Sequence, residues 1–216
     1  VRRPLAIVFD LDGTLADTRL DIAGACNHVL VSLGRPAQTV GAIAGFVGDG
    51  ARSLLARAFG VDRSDPLLDE ALACFEAYYP HHAADHATWM PGAREALAAV
   101  RHLPLALATN KPRSATLPLL EALGMAAHFR AVVAGGDGPL KPDPTPIRSA
   151  LAPLGVAPEN AWVVGDGPQD VGAGRAAGAA TVAVLGGFAS EERLRAAGPD
   201  RVIGSMHELA TLVESA

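Results

Sequence analysis

Two aspartates one residue apart, Asp10 and Asp12, open an Asp-Leu-Asp-Gly-Thr run directly after an apolar stretch at residues 5–9. Carboxylates at i and i+2 past a strand end lie near one sheet edge. Gly13 lets the chain bend there because it lacks a Cβ, so the Asp12 side chain and backbone carbonyl can serve different roles. A second acidic segment, Gly165-Asp166-Gly167-Pro-Gln-Asp170, also follows an apolar stretch and adds two carboxylates. Brought together, such groups repel by roughly 4 kcal/mol per pair at about 4 Å in an intermediate dielectric. A divalent cation relieves that repulsion, and ligation by oxygen alone fits Mg²⁺. After a third apolar stretch come Thr109, whose hydroxyl suits a phosphoryl oxygen, and Asn110, whose backbone N–H does the same. A helix starting near Pro112 would point its positive end at that place. Lys141 lies in Gly138-Pro-Leu-Lys141-Pro-Asp-Pro and is one of two lysines, with Lys111, in a chain of 16 arginines. A lysine in that setting indicates a compact point charge where no guanidinium fork is needed.

Each of these groups needs a strand to carry it. Residues 5–9, 103–108, 161–164 and 180–185 are continuous apolar runs, as expected of strands buried on both faces of a parallel sheet. Residues 129–133 form a shorter candidate. Helical patterns at 93–100, 113–123, 146–154 and 171–177 alternate with them, the last three ending at Gly124, Gly155 and Gly178. The alternation predicts an α/β fold with a doubly wound, parallel-sheet (Rossmann-like) core, whose ligands gather at the carboxyl ends of the strands. Residues 17–84 break the rhythm: helices are expected over 21–33, 51–59 and 67–78, with no strand among them. The expected division is therefore core at 1–16, an inserted helical cap at 17–84 and the rest of the core at 85–216. Such a cap, placed just after the first strand, would roof the site. A short strand at 202–203 and a helix reaching Val213 close the pattern.

In this order, the segments at 10–14 and 108–109, then Lys141 and Asp166 with Asp170, resemble the motifs of the haloacid dehalogenase superfamily of phosphotransferases. Within it the chain is similar to the phosphoglycolate phosphatase group, in which the helical cap follows the first motif. The supporting stretches are Leu15-Ala-Asp-Thr-Arg-Leu-Asp-Ile-Ala23, Asn27 with Leu33-Gly34, Val47-Gly-Asp-Gly-Ala51, Ala108-Thr-Asn-Lys111 and Lys141-Pro-Asp-Pro144. The resemblance implies that Asp10 is the nucleophile and a metal ligand. Asp12 is then the general acid and base, with its backbone carbonyl on the metal. Thr109 binds phosphate, Lys141 orients the nucleophile and offsets charge, Asp166 ligates the metal directly, and Asp170 holds the metal's waters. Gly13, Thr14, Asn110, Gly48, Gly50 and Arg52 complete the expected substrate-binding set, with Arg52 reading a substrate carboxylate and Asp49 holding it. Two positions depart from the family pattern: Gly167 stands where serine is common, and Asp49 where the cap loop often carries no charge.

The implied activity is Mg²⁺-dependent hydrolysis of a small phosphorylated metabolite through an aspartyl-phosphate, with 2-phosphoglycolate as the first substrate. The alternatives are a phosphatase for another small sugar or acid phosphate, a phosphomutase, or a non-catalytic binding module. The intact set of Asp10, Asp12, Thr109, Lys141 and Asp166 argues against the last. A phosphonatase would carry a Schiff-base lysine in its cap, and residues 17–84 contain no lysine.

Composition narrows the partners. Half of the 216 residues are apolar and 19% are charged, which suits a packed core and not a disordered chain. A net charge of -5 argues against nucleic-acid and anionic-membrane partners. No apolar run is long enough to span a membrane, and the stretch before Asp10 suits a strand better than a signal peptide. Cys26 and Cys74 form no framework, which fits unpaired thiols in a reducing cytoplasm. The Gly165–Gly174 region does not suit a dinucleotide, because Asp170 stands where the fingerprint needs glycine. His81, His82, Asp85 and His86 are expected to be solvated linker residues, and Trp89 and Trp162 to be packing residues.

Overall fold

The computed structural model describes residues 2–216. The chain opens with β1 (Ala6–Phe9) and the two-residue strand β2 (Ala16–Asp17), then runs through four helices, α1 (Arg19–Ser32), α2 (Val40–Ala44), α3 (Ala51–Phe59) and α4 (Leu67–His82). It returns through β3 (Thr88–Trp89) and α5 (Ala93–Val100). Strands and helices then alternate as β4 (Leu105–Pro112), α6 (Arg113–Ala122), β5 (Ala131–Gly135), α7 (Thr145–Leu151), β6 (Ala161–Gly165), α8 (Pro168–Ala177) and β7 (Ala180–Val184). The last elements are α9 (Glu191–Ala196), β8 (Arg201–Ile203) and α10 (Leu209–Glu214).

Six strands form one parallel sheet in the order β5-β4-β1-β6-β7-β8. The chain builds outward from β1 on one side and then from β6 on the other, so the order reverses at β1. That reversal opens a crevice past the carboxyl end of β1, where Asp10 and Asp12 stand. Side-chain alternation divides the strands between two layers. Ile7, Phe9, Leu107, Trp162 and Val164 pack with α5, α6 and α10. The opposite face carries Ala6, Val8, Ala106, Ala108 and Val163 against α7 and α8. Its smaller side chains let helices come close: a Cβ on Gly174 of α8 would meet Val163 Cβ at 3.1 Å.

The helices α1–α4 have their own apolar core, in which Ile22, Cys26, Val29, Leu30, Leu55, Leu68, Phe75 and Tyr79 pack together. The α1 stripe is the one its 3.6-residue spacing predicts. The helical layer joins the main sheet through the β2–β3 ladder, in which Ala16 pairs with Trp89 and Asp17 with Thr88. Ala115 of α6 packs into the helical core, so the roof rests on the helix that follows β4.

Several elements differ from expectation. Helix α4 continues through Pro80 to His82 instead of ending at 78. Proline costs that turn a backbone bond, but burial of Tyr79 beside Phe75 keeps the turn in place. His81 and His82 are therefore helical. His86 is not simply solvated, since its backbone N–H donates to buried Asp21 at 2.9 Å. Strand β4 runs on to Pro112 through a register irregularity past Ala108, which keeps Thr109, Asn110 and Lys111 extended. Helices α2 and α9 had no counterpart in the sequence patterns; each is only five or six residues long, too short to display a period.

Candidate active site

The floor of the site is built where β1, β4 and β6 end. Past β1, Gly13 adopts φ +86°, a left-handed conformation open to glycine at little cost. A Cβ there would run into the Asp166 carboxylate, so the bend also makes room for that group. Thr14, fully buried, donates from Oγ1 to Asp166 Oδ1 at 2.7 Å. The Phe188 N–H donates to Asp166 Oδ2 at 2.7 Å. Gly13 and Thr14, expected to bind substrate, thus stand behind Asp166 and fix its position.

Lys141 is the centre of the floor. Its Nζ donates to Asp10 Oδ1 at 2.8 Å, Asp170 Oδ1 at 2.6 Å and the Ala108 carbonyl at 2.6 Å, using all three protons. The other Asp170 oxygen caps α8 by accepting from the Gly167 N–H at 2.9 Å. Burial opposes the charge on Lys141, but Asp10 and Asp170 outweigh it and hold the ammonium above its ordinary range. Burial and then the Asp170 carboxylate push Asp10 up to about 8, against the pull of Lys141. Burial and Asp170 likewise push Asp166 up to about 6, against the bonds from Phe188 and Thr14.

Both shifts arise from burial and from carboxylates set close together, which at Asp10 Lys141 offsets only in part. Asp10, Asp166 and Asp170 each offer an oxygen, and these oxygens lie within 4.8 Å of one another, all from buried side chains. A hard divalent cation fits such a set, because oxygen ligands and unrelieved repulsion are both present. Asp170, expected only to hold the metal's waters, belongs to the grouping. The Asp12 side chain does not: its Oδ1 accepts from Thr18 Oγ1 at 2.7 Å and from Lys111 Nζ at 3.0 Å. Its Oδ2 takes no protein donor among the described residues, which leaves it available for proton exchange.

Above the floor a cleft opens toward the helical roof. Asp10, Asp12, Thr109 and Lys111 line the core side, and Ile22, Leu54, Phe75 and Tyr79 the roof side. Gly48 and Gly50 line it too, with φ of +125° and +83°. They also let core side chains approach the cap loop: a Cβ would lie 2.9 Å from Gln169 Nε2 at Gly48 and 2.6 Å from Leu140 Cδ1 at Gly50.

The Asn110 side chain joins three segments around the site. Its Nδ2 donates to the Gly48 carbonyl at 2.8 Å and the Lys141 carbonyl at 2.9 Å, while Oδ1 accepts from the Lys141 N–H at 2.8 Å. One amide therefore ties β4, the cap loop and the Lys141 loop together.

Arg52 does not join this group. Its guanidinium donates to the Arg63 carbonyl and to Asp69, both at 2.8 Å, and Arg52 is not among the residues that line the cleft. Asp49 pairs with Arg57 instead of Arg52, so the negative charge that the cap loop carries is already compensated. Lys111 and Tyr79 are the residues that sequence reasoning left without a role. The Lys111 ammonium bonds to Asp12 and to the Tyr79 hydroxyl from within a nearly closed environment. Burial, with Asp12 and Asp21 adding to it, holds the Tyr79 phenol well above its usual pKa and keeps it protonated. The available signal was the rarity of lysine in the chain.

Comparison with known proteins follows the same lines. The profile of the family described as haloacid dehalogenase-like hydrolase matches residues 7–184. A phosphoglycolate phosphatase of Chromobacterium violaceum is 39% identical over 217 residues, spanning 97% of this chain and 96% of that protein. A plasmid-encoded phosphoglycolate phosphatase of Cupriavidus necator is 37% identical over 216 residues, spanning 98% and 94%. Among solved structures, a protein described as a predicted phosphoglycolate phosphatase from Haemophilus somnus superposes with a TM-score of 0.88 at 26% identity. That match spans 98% of this chain and 99% of the other.

Proposed function

The chain belongs to the haloacid dehalogenase-like hydrolases, and from that premise we propose that it is a phosphatase converting 2-phosphoglycolate to glycolate and phosphate. The observation that carries the reading is the buried Asp10–Lys141–Asp170 group beside Asp166, at the floor of a roofed cleft. The fully engaged ammonium orients the nucleophilic carboxylate and favours its ionised form, while burial and the neighbouring acids oppose ionisation and so call for a cation.

In this reading, an Asp10 carboxylate oxygen attacks phosphorus, and the bond to the leaving oxygen breaks. Asp12 gives its proton to the departing alkoxide, releasing glycolate. Asp12 then takes a proton from a water whose oxygen attacks the aspartyl-phosphate. Inorganic phosphate leaves, and the Asp10 carboxylate and protonated Asp12 are restored. Lys141 fixes the orientation of Asp10, and Thr109 donates its hydroxyl to a phosphoryl oxygen. Asp10, Asp166 and Asp170, with the Asp12 carbonyl, would hold Mg²⁺, which offsets charge on the phosphoryl group when bound. The apolar roof of Ile22, Leu54 and Phe75 keeps other water away.

No described helix is long and apolar enough to cross a membrane. Cys26 is buried, and both cysteines are free thiols, which supports a cytoplasmic site of action. The test is phosphate release from a panel of small sugar and acid phosphates, in EDTA, Mg²⁺ and Ca²⁺. We expect the highest kcat/KM for 2-phosphoglycolate, silence in EDTA, recovery with Mg²⁺ and poor recovery with Ca²⁺. A higher kcat/KM for another ester would reassign the substrate, and full activity after exhaustive chelation would remove the metal.

A further inference from the structure

The cleft wall contains one cation with bonding capacity to spare. Lys141 uses all three Nζ protons on Asp10, Asp170 and the Ala108 carbonyl. Arg52 is turned toward Asp69. Lys111 lines the cleft, its side chain 1% exposed, and gives one proton to Asp12 and one to the Tyr79 hydroxyl. An ammonium has three protons, so one is free of any partner among the described residues. The Tyr79 hydroxyl accepts from Lys111 and still holds its own proton, for which the described residues supply no acceptor. Lys111 Nζ also lies 4.5 Å from the Tyr79 ring centroid, which fixes the two side chains together. The pair therefore presents two donors, N–H and O–H.

Their position matches the far end of a short phosphate ester. Thr109 and Lys111 are two residues apart on β4, and both line the cleft. A phosphoryl group held at Thr109 and Asp10 leaves the rest of the molecule facing Lys111, Tyr79, Ile22, Leu54 and Phe75. Among these apolar walls a carboxylate needs a charged partner, because burying it unpaired costs several kcal/mol. The ammonium also stands beside Asp12, so it separates an incoming carboxylate from the acid that must exchange a proton.

We propose that Lys111 and Tyr79 together read the substrate's carboxylate, the Lys111 ammonium donating to one oxygen and the Tyr79 hydroxyl to the other. The inference rests on the 2-phosphoglycolate reading above and moves the selecting cation from the cap helix to the core strand. An ester with an uncharged tail gains nothing from this pair, whereas a two-carbon acid gains a charged contact at the only free cation of the cleft among the described residues.

The test compares kcat/KM for 2-phosphoglycolate and ethyl phosphate, with saturating Mg²⁺, in wild type, Lys111→Met and Tyr79→Phe. Removing Lys111 also disturbs Asp12, so the informative quantity is the ratio between the two substrates. Wild type should prefer 2-phosphoglycolate, and Lys111→Met should reduce that preference by roughly 100-fold, as for loss of one partner of a buried charge pair. Tyr79→Phe should reduce it by about 10-fold, the size expected for a hydrogen bond to a charged group. It leaves the partners of Asp12 in place, so it keeps the test open if Lys111→Met does not fold. A wild-type preference that survives in every folded variant overturns the role of this pair and leaves the substrate assignment standing. A wild type without preference overturns both.

Discussion

Replacing Asn110 with alanine removes a side chain that makes three hydrogen bonds, to the Gly48 carbonyl and to both backbone groups of Lys141. Each bond contributes about 1 kcal/mol net, and the buried Lys141 N–H and C=O left behind add desolvation cost, so the total loss is roughly 3–5 kcal/mol. For a chain of this length, that corresponds to a fall in melting temperature of about 6–20 °C. The same bonds hold the loop from which Lys141 reaches Asp10. If that loop drifts by about 1 Å, a loss of roughly 100-fold in kcat follows from misalignment of the nucleophile. Calorimetry on the metal-loaded enzyme and steady-state phosphate release measure the two effects separately. A variant that melts within 2 °C of wild type and keeps kcat within about twofold would refute the argument that this amide sets the Lys141 loop.

Four further outcomes follow from the site. Asp10→Asn should abolish turnover yet keep the fold, since the amide is nearly isosteric; residual activity above about a tenth of wild type, in protein free of wild-type enzyme, would exclude Asp10 as nucleophile. In chelated protein, Asp10 at about 8 and Asp166 at about 6, both raised from 3.8, hold protons that the unfolded chain releases. Their contribution to stability is complete below pH 4 and is lost as pH rises through about 6 and 8, so the melting temperature should fall over that window and Mg²⁺ should restore it at pH 8; a flat profile in EDTA would contradict this. Gly13→Ala should cost several kcal/mol and weaken Mg²⁺ binding, because its Cβ meets the Asp166 carboxylate at a positive φ, and unchanged calorimetric binding would count against that geometry. Arg52→Ala should change kcat/KM for 2-phosphoglycolate by less than about twofold, because an exposed pair with Asp69 is worth little, while a tenfold loss would return Arg52 to substrate recognition.

Local chemistry was enough to read much of this protein from its sequence. Buried strands such as β1 and β6 are continuous apolar runs, because both of their faces are covered. The residues that end them are polar, and in a parallel sheet such ends converge on one edge. Asp10 and Asp166 therefore showed themselves through type and position, Asp170 and Lys141 through the segments that carry them, and the structure brings all four together. The helical insert was legible from the period of its apolar residues, although Pro80 hid the last turn of α4 until the burial of Tyr79 outweighed it.

What tertiary structure alone decided was where long side chains point and which distant segments they join. Arg52 sits beside the cap-loop glycines in sequence, yet its guanidinium pairs with Asp69 of α4 and does not line the cleft. Lys111 meets Tyr79 across 32 positions, and Asn110 meets Gly48 across 62. No periodicity encodes such pairs, because each depends on how the helical layer rests on the sheet. A single sequence specifies the strand end on which a lysine stands, but packing of the roof decides which wall its ammonium faces. The charged floor followed from local pattern, and the pairing of Lys111 with Tyr79 and of Asn110 with Gly48 from the contact between two layers.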